Sequence, residues 1–459
     1  MPDVRIEEAM RSGMRVRRFR TVGPDDPIPQ DAGTVAAFPA DTSVAVVGLG
    51  DNGLATALAF LRSGVRVAGV DFSRERLAQI SSGRVSLPTQ SRQHLREALV
   101  DPDFGLSAEL RAIASSDVVV ICVPTALDAH MLPDLAPLAH ACADVVRLAR
   151  AGQLIILTST TYAGTTTDLL VRPLESLGFR IGVDVNVAFS PERLGMEGDR
   201  PSDQTPPRVV GGATAACLAR AQRVLSGVCS QVHCVSTTEA AEMTRLLENT
   251  FRAVNIALVN EFSSACHELG VEPMEVIDAA ATNPGGFTRF TPGPGVGGHS
   301  LPYDPYHLTW QMRRYRRRMP VVESAMNAIA DRPAQVVGRI QTLLSEAGVA
   351  TRSARVLVVG VAYKPNVGDT RESSAIEIVS RLADMGVDVE VADCRVAALP
   401  LPSGVVVPVQ RLGEADVAGY DLVLVHTLHD DEDLTPLSDA RVLLDATYQL
   451  DAQPHRVTL

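Results

Sequence analysis

Apolar and polar positions along this chain fall into blocks whose period changes twice. Ser43–Gly48 (SVAVVG) is a short β-branched run closed by glycine, the pattern of a buried strand. Helical spacing follows over Gly53–Arg62, and Val65–Asp71 (VRVAGVD) reads as the next strand. Apolar runs recur at Asp117–Val123, Gln153–Leu157, Val185–Phe189, Arg208–Val210 and Gln231–Val235, with helical stretches at Asp134–Ala149 and Ala213–Leu225. Strands alternating with helices predict a parallel sheet covered on both faces.

From about Thr237 the spacing becomes helical throughout. Met243, Leu246, Leu247, Val254, Leu258, Phe262, Ala265 and Leu269 mark one long amphipathic stretch over Thr238–Leu269, with Gly270 as its stop. A loop rich in glycine and proline covers Asn283–Ser300, and a further helical region covers Val321–Ala347. Strand–helix alternation returns at Arg355–Val361, Val387–Ala392 and Asp421–Val425. The fold class is therefore α/β, with two Rossmann-like parallel-sheet domains joined by a central helical region. The expected division is an N-terminal arm over 1–42, a first α/β domain over 43–236, the helical region over 237–348 and a second α/β domain over 349–459. One large α/β domain followed by a small appendage is the other layout the pattern allows.

Bulk properties narrow the classes. A length of 459 residues fits two or three domains, and 46% hydrophobic with 21% charged residues is ordinary for a globular protein. A net charge of -12 argues against a general nucleic-acid binder. No apolar run approaches the roughly 20 residues needed to cross a bilayer. Residues 1–42 carry six arginines and then Pro, Gly and Asp, without the apolar core of a signal peptide. Seven irregularly spaced cysteines without a C-x-x-C pair suggest reduced thiols, no metal site and a cytoplasmic location.

Gly48-Leu49-Gly50-Asp51-Asn52-Gly53 places G-x-G-x-x-G after a strand and at the start of a helix, with Asp71 ending the next strand 21 residues beyond Gly50. Alone the motif is weak; in this strand–turn–helix–strand unit it points to a dinucleotide. The glycines allow a tight turn, and helix N–H groups meet the pyrophosphate. An acid at Asp71 accepts hydrogen bonds from ribose hydroxyls and repels a 2′-phosphate, so NAD is favoured over NADP. Asp51 is an oddity, because a carboxylate there sits near the phosphates and weakens binding.

Several ordered motifs then carry a resemblance. They are GLGDNG at Gly48, VPT at Val123, STTYAGTT at Ser159, SPER at Ser190, LLENTFRAVNIALVNE at Leu246, PGPGVGGHS at Pro292 and AYKPNVGDTRES at Ala362. Over about residues 43–450 the chain resembles the UDP-glucose and UDP-N-acetylmannosamine 6-dehydrogenase family, and its Gly297–Pro305 segment looks closer to the acetamido-sugar branch. The resemblance implies an NAD domain, a central dimerising helix and a UDP-sugar domain, hence a UDP-sugar substrate and a homodimer. It also implies two oxidations at the sugar C6 with two NAD: a loop cysteine captures the aldehyde, hydride loss gives a thioester, and water hydrolyses it.

Carried over motif by motif, Glu192 would be the acid/base near the thioester and Thr160 would position the attacking water. Asn249 would hold the sugar and oxyanion, Asp304 would orient water or a base, and Thr125 would lie beside the nicotinamide. Lys364 and Arg371 would bind the nucleotide end, with Gly297 and Gly298 in the substrate loop. Plainer readings stay open: Glu192 as a solvated turn acid, Asn249 as an exposed helix amide, Asp304 as a turn former, and Lys364 and Arg371 as surface charges. A Ser300–His299 dyad is disfavoured, because neighbours in an extended loop point apart.

Two departures matter most. Ser300 stands where the family has its nucleophilic cysteine, and Arg245 where it has a lysine. Thr158 replaces a usual Glu, and Ala126 and Ala163 replace usual prolines. A hydroxyl needs a placed base that a thiol does not, and a guanidinium does not exchange protons near neutrality. The departures predict a nucleotide-sugar oxidoreductase in which efficient twofold oxidation fails. The alternatives are a single-oxidation or redox-neutral, epimerase-like enzyme, or a catalytically silent binding homologue.

Overall fold

The computed structural model describes residues 38, 42–85, 89–128, 130–193, 206–283, 285–451 and 455–459. Apart from Phe38 and Thr42, the arm expected over 1–42 lies outside the described residues. The chain forms two compact units. The first takes the chain to Arg84 and adds Gln90–Thr125 and Asp134–Arg245; the second takes Val85–Thr89, Ala126–Pro133 and Leu246–Leu459.

The first unit is built on eight strands: β1 (Ser43–Val47), β2 (Arg66–Val70), β3 (Phe104–Ser107), β4 (Val118–Ile121), β5 (Leu154–Leu157), β6 (Asn186–Phe189), β7 (Arg208–Gly212) and β8 (Val232–Val235). Their order is β3-β2-β1-β4-β5-β6-β7-β8. Every neighbouring pair is parallel except β6 and β7, which run antiparallel through Ala188–Gly212 and Phe189–Gly211. That reversal was not foreseen. The alternation of strands and helices predicts parallel pairing throughout, and β7 departs from it by running opposite to β6. β4 and β5 are buried along their whole length, which is why they read as unbroken apolar runs instead of alternating ones. Strand order reverses between β1 and β4, so the crevice at the carboxyl ends of these two strands is where such a sheet binds its ligand.

The helix Thr238–Glu268 runs for 31 residues, as its apolar spacing predicts. Thr237 begins it by accepting a hydrogen bond from the Ala240 N–H at 3.0 Å. At its other end Gly270 takes φ +68°, a left-handed stop that suits glycine.

The second unit carries seven strands: β9 (Arg355–Val359), β10 (Asp388–Ala392), β11 (Ala398–Pro400), β12 (Val406–Gln410), β13 (Leu422–Val425), β14 (Leu443–Asp445) and β15 (Arg456–Thr458). Their order, β11-β12-β10-β9-β13-β14-β15, again reverses beside the first strand, between β9 and β13. Only β11 and β12 pair antiparallel. The helices Ser374–Asp384 and Pro320–Glu346 lie in the core of this sheet, through Ile378, Val379 and Leu382 and through Val336, Ile340 and Leu344.

Candidate functional site

In the first unit β1 delivers the turn Gly48–Gly50 into the helix Asp51–Arg62. Gly48 has φ +87°, and a Cβ there would stand 2.9 Å from the Cys122 carbonyl oxygen; a Cβ on Gly53 would stand 1.8 Å from the Gly48 oxygen. Both positions therefore exclude side chains. Nothing lies within 4 Å of the corresponding point on Gly50, which leaves one side of the turn open. An open turn at a helix N-terminus fits the diphosphate of a dinucleotide. Asp71 accepts hydrogen bonds from the Leu49 N–H at 2.8 Å and the Ser73 N–H at 2.9 Å, so its carboxylate is fastened to that turn. Asp51 occupies the first helical position, and the exposed Asn52 the second. Arg76, which sequence reasoning passed over, donates to the Leu49 carbonyl at 2.8 Å and pairs with Asp51 at 3.2 Å. Past β4, the Thr125 hydroxyl donates to the Thr160 carbonyl at 2.6 Å and ties together two loops expected to serve the site. Thr158 donates to the Ile121 carbonyl at 2.8 Å. Burial pushes the neighbouring Cys122 thiol up to about 12, so it is a packing thiol.

Glu192 is not a solvated turn acid. Its Oε2 accepts the Thr56 hydroxyl at 2.6 Å and lies 3.0 Å from the Arg208 Nη2, with both charged side chains almost fully buried. Its Oε1 accepts the Arg193 N–H at 2.8 Å. Arg208 also donates to the Ser190 hydroxyl at 3.0 Å, so the Ser-Pro-Glu turn and β7 share one network. The signal for Arg208 was legible: it is a cation at the head of an apolar strand.

Glu242, also missed by sequence reasoning, holds the loop after β5. Its carboxylate accepts the Gly164 N–H at 2.5 Å, the Thr166 N–H at 2.8 Å and the Thr166 hydroxyl at 2.7 Å. Burial raises its pKa to about 8, and the Gly164 and Thr166 hydrogen bonds oppose the shift. A five-residue π-helix, Thr167–Val171, follows this loop. Arg245, one turn further along the helix that carries Glu242, is buried.

The second unit brings the other predicted residues together. Asp304 opens the helix Asp304–Arg314, and its N–H donates to the Ser300 carbonyl at 2.8 Å. The Asn249 Nδ2 donates to the Asp304 carboxylate, and both side chains are buried. Asn249 is thus no exposed amide, and its Oδ1 is a buried acceptor with no hydrogen-bond partner among the described residues. Gly298 (φ +80°) donates its N–H to the Arg371 carbonyl at 3.1 Å. A Cβ on Gly297 would stand 2.6 Å from the Glu372 oxygen, and one on Gly298 2.8 Å from the Tyr363 ring. Close packing against residues 363–372 thus accounts for both glycines. His299 Nε2 is hydrogen-bonded to the Arg371 guanidinium, which also donates to Asp369 at 2.9 Å. Burial works against ionisation of Asp369, yet Arg371 holds its carboxyl below the usual range. Lys364 sits 5.6 Å from the centre of the Tyr363 ring.

Asp393, Cys394 and His429 also cluster, with one ligand atom from each within 4.8 Å of the others. Their atoms are already engaged. Asp393 accepts the N–H groups of Val361 at 2.8 Å and Arg395 at 2.7 Å, and His429 Nδ1 accepts the Asn366 N–H at 2.9 Å. The cluster anchors the loop that carries Lys364.

Comparison with known proteins follows this layout. Residues 42–228 match the NAD binding domain of the UDP-glucose/GDP-mannose dehydrogenase family, 239–329 its central domain and 357–453 its UDP binding domain. UDP-N-acetyl-D-mannosamine dehydrogenase of Pyrococcus horikoshii is 35% identical over 339 residues, covering 73% of this chain and 79% of the relative. UDP-N-acetyl-D-glucosamine 6-dehydrogenase of Pseudomonas aeruginosa is 29% identical over 421 residues, covering 90% of this chain and 98% of the relative. The solved structure of the Pyrococcus horikoshii UDP-D-ManNAc dehydrogenase superposes with a TM-score of 0.79 at 30% identity, over 91% of this chain and 98% of that one.

Two stability measurements check these networks. Arg208→Met leaves Glu192 buried without its cation and should cost about 3–5 kcal/mol in urea unfolding, much of it recovered by adding Glu192→Gln; a loss below about 1 kcal/mol would contradict the pairing. For Glu242 the folded-state pKa, about 8, lies above the unfolded one. Its stabilisation is therefore fully present below the ordinary carboxylate range and is lost as pH rises towards 8. The melting temperature of the wild type should fall by roughly several degrees relative to Glu242→Gln over that window. Parallel pH profiles for the two proteins would refute the assignment.

Proposed function

Because this chain belongs to the UDP-glucose/GDP-mannose dehydrogenase family, as an NAD-dependent oxidoreductase, we propose that it oxidises C6 of a UDP-N-acetylhexosamine or UDP-hexose and stalls at the aldehyde level. NAD supplies the hydride acceptor. The C6 hydroxyl gives up its proton to water ordered by Asp304 and the C6 hydrogen leaves as hydride, which yields the 6-aldehyde. Asn249 Oδ1, the open buried acceptor, receives a sugar hydroxyl. Lys364 and Arg371 neutralise the diphosphate and Thr125 flanks the nicotinamide; Thr160 and Glu192, assigned by the resemblance to hydrolysis of a covalent ester, have no step to serve in this single oxidation.

Ser300 carries this reading. Oxidation past the aldehyde through a covalent ester needs Ser300 Oγ to lose a proton and add to C6. The adjacent imidazole of His299 is engaged by Arg371. Arg245 takes up no proton near neutrality. Its own weight in the argument is smaller than that of Ser300, because of the 42 lysine and arginine residues only Lys364 is a lysine. An arginine at 245 follows a preference of the whole chain, whereas a serine in place of the thiol does not.

The long central helix supports a homodimer. Leu247, Phe251, Leu258, Phe262 and Leu269 recur at helical spacing and are 65%, 49%, 60%, 43% and 77% exposed, an apolar stripe that a second copy would cover. Seven free cysteines, five of them buried, support a reducing, cytoplasmic setting. Among the described residues no helix is long and apolar enough to cross a membrane.

With UDP-N-acetylglucosamine, UDP-N-acetylmannosamine and UDP-glucose, the wild type should form about one NADH per sugar consumed, and Ser300→Cys/Arg245→Lys should gain acid formation by roughly tenfold or more. Rapid formation of two NADH per sugar by the wild type would overturn the proposal, and no NADH with any sugar would favour a silent homologue. Light scattering should give twice the monomer mass, and Leu258→Glu/Phe262→Glu should give the monomer. A wild-type monomer at working concentration would refute the dimer.

A further inference from the structure

The second unit holds a buried row of polar side chains that the chemistry above leaves unused. Its strand order reverses between β9 and β13, so the carboxyl ends of those two strands form its own ligand crevice. Gly360 follows β9 there, and His426 and Thr427 follow β13, both of them buried. Ser374, at the start of the helix Ser374–Asp384, is buried as well. A buried polar group must meet a partner, and here each one meets the next. His426 Nε2 lies 2.8 Å from the Ser374 hydroxyl and His426 Nδ1 lies 2.8 Å from the Thr427 hydroxyl, which donates to the Ala362 carbonyl at 2.8 Å.

The last member of the row fixes its direction. A carbonyl only accepts, so Thr427 spends its hydrogen on Ala362 and can only accept from Nδ1. Burial pushes the imidazole down to about 4, against the pull of Asp393 and of the Gly360 carbonyl, so the ring is neutral and has one hydrogen to give. That hydrogen sits on Nδ1, which leaves Nε2 to accept from Ser374. Both ends of the row bear on the loop that carries Ser300. A Cβ on Gly295 would stand 2.5 Å from the Ser374 hydroxyl oxygen, so the loop lies directly on Ser374. At the other end, Ala362 precedes Tyr363, whose ring lies against Gly298, and then Lys364.

We propose that His426 is a positioning residue for the nucleotide sugar: its imidazole joins the two footings of the substrate loop, Ser374 and the segment Ala362–Tyr363, so that this loop and Lys364 keep one spacing. Ser374 and Thr427 act through it. The inference rests on the reading that the loop and Lys364 hold the UDP-sugar, and adds to it the side chain that sets the distance between them.

Calorimetric titration of the full chain with UDP-N-acetylglucosamine, with UDP and with NAD tests this, with melting temperatures taken in parallel. Thr427→Val keeps the shape of the side chain and removes its hydroxyl, so affinity for UDP-N-acetylglucosamine should fall by roughly tenfold. Thr427→Ser keeps the hydroxyl and should bind within about threefold of the wild type. His426→Leu should lose roughly tenfold as well, and adding Thr427→Val to it should lose little more, because both cut one row. Affinity for NAD, whose cradle lies in the first unit, should stay within about threefold throughout. A merely structural row predicts lower melting temperatures with unchanged affinity in the folded protein. Should His426→Leu fail to fold, the two Thr427 variants decide alone. Equal affinities for Thr427→Val and Thr427→Ser, a matching loss of NAD affinity, or losses that add in the double variant would overturn the proposal. A wild type that binds NAD but neither UDP nor UDP-N-acetylglucosamine would overturn the substrate reading beneath it, and the proposal with it.

Discussion

A carboxylate taken out of water must be met by donors, and this chain uses that requirement to fix its loops. Asp71 fastens the glycine turn through the Leu49 N–H, Glu192 joins the Ser-Pro-Glu turn to Arg208, and Glu242 gathers the Gly164–Thr166 segment. In the second unit Asp304 takes Asn249, and Asp393 takes the Val361 N–H at the root of the Lys364 loop. Each loop that carries candidate chemistry thus has its own acid, set at or just beyond the end of a strand or at a helix. Loops at the carboxyl ends of parallel strands have no ladder of their own, and a buried acid is a compact way to satisfy several of their N–H groups at once. At Glu192, removing Arg208 leaves a charge unpaired in the interior.

That scaffold bears on how the replaced residues are read. The acids and amides around the candidate chemistry are hydrogen-bonded, and position 300 carries a serine hydroxyl. A thiol ionises near neutrality and a hydroxyl does not. Beside Ser300, the His299 imidazole is hydrogen-bonded to the Arg371 guanidinium. The proposed single oxidation needs only a C6 hydroxyl and a hydride acceptor, whereas a covalent step would need the Ser300 hydroxyl to give up its proton.

Much of this was legible in the pattern. Strands buried on both faces announce themselves as apolar runs, and β1, β2, β4, β5 and β9 fall where those runs place them. The long central helix is equally plain, because over 31 residues the helical period has no rival. Strands β3, β11, β12, β14 and β15 were not found: β3, β11, β12 and β15 are partly exposed with short, mixed runs such as FGLS and ALP, and β14 is buried but only three residues long. The antiparallel step at β7 depends on the path of a connection, which periodicity does not encode. Within the site the motif residues were legible, but the pairings were not: Arg208 stood out as a cation at the head of an apolar strand, yet Arg76, Arg208 and Glu242 lie 25, 16 and 78 residues from the groups they hold, and only folding brings them together.

The central claim is that hydride leaves C6 once and that Ser300 forms no ester. Turnover with a UDP-sugar dideuterated at C6, followed by mass spectrometry of both the sugar product and the intact chain, tests it most directly. The account predicts a product that keeps one deuterium, at the aldehyde level, and a chain of unchanged mass. A product without deuterium, together with a sugar ester on the peptide that contains Ser300, would contradict it.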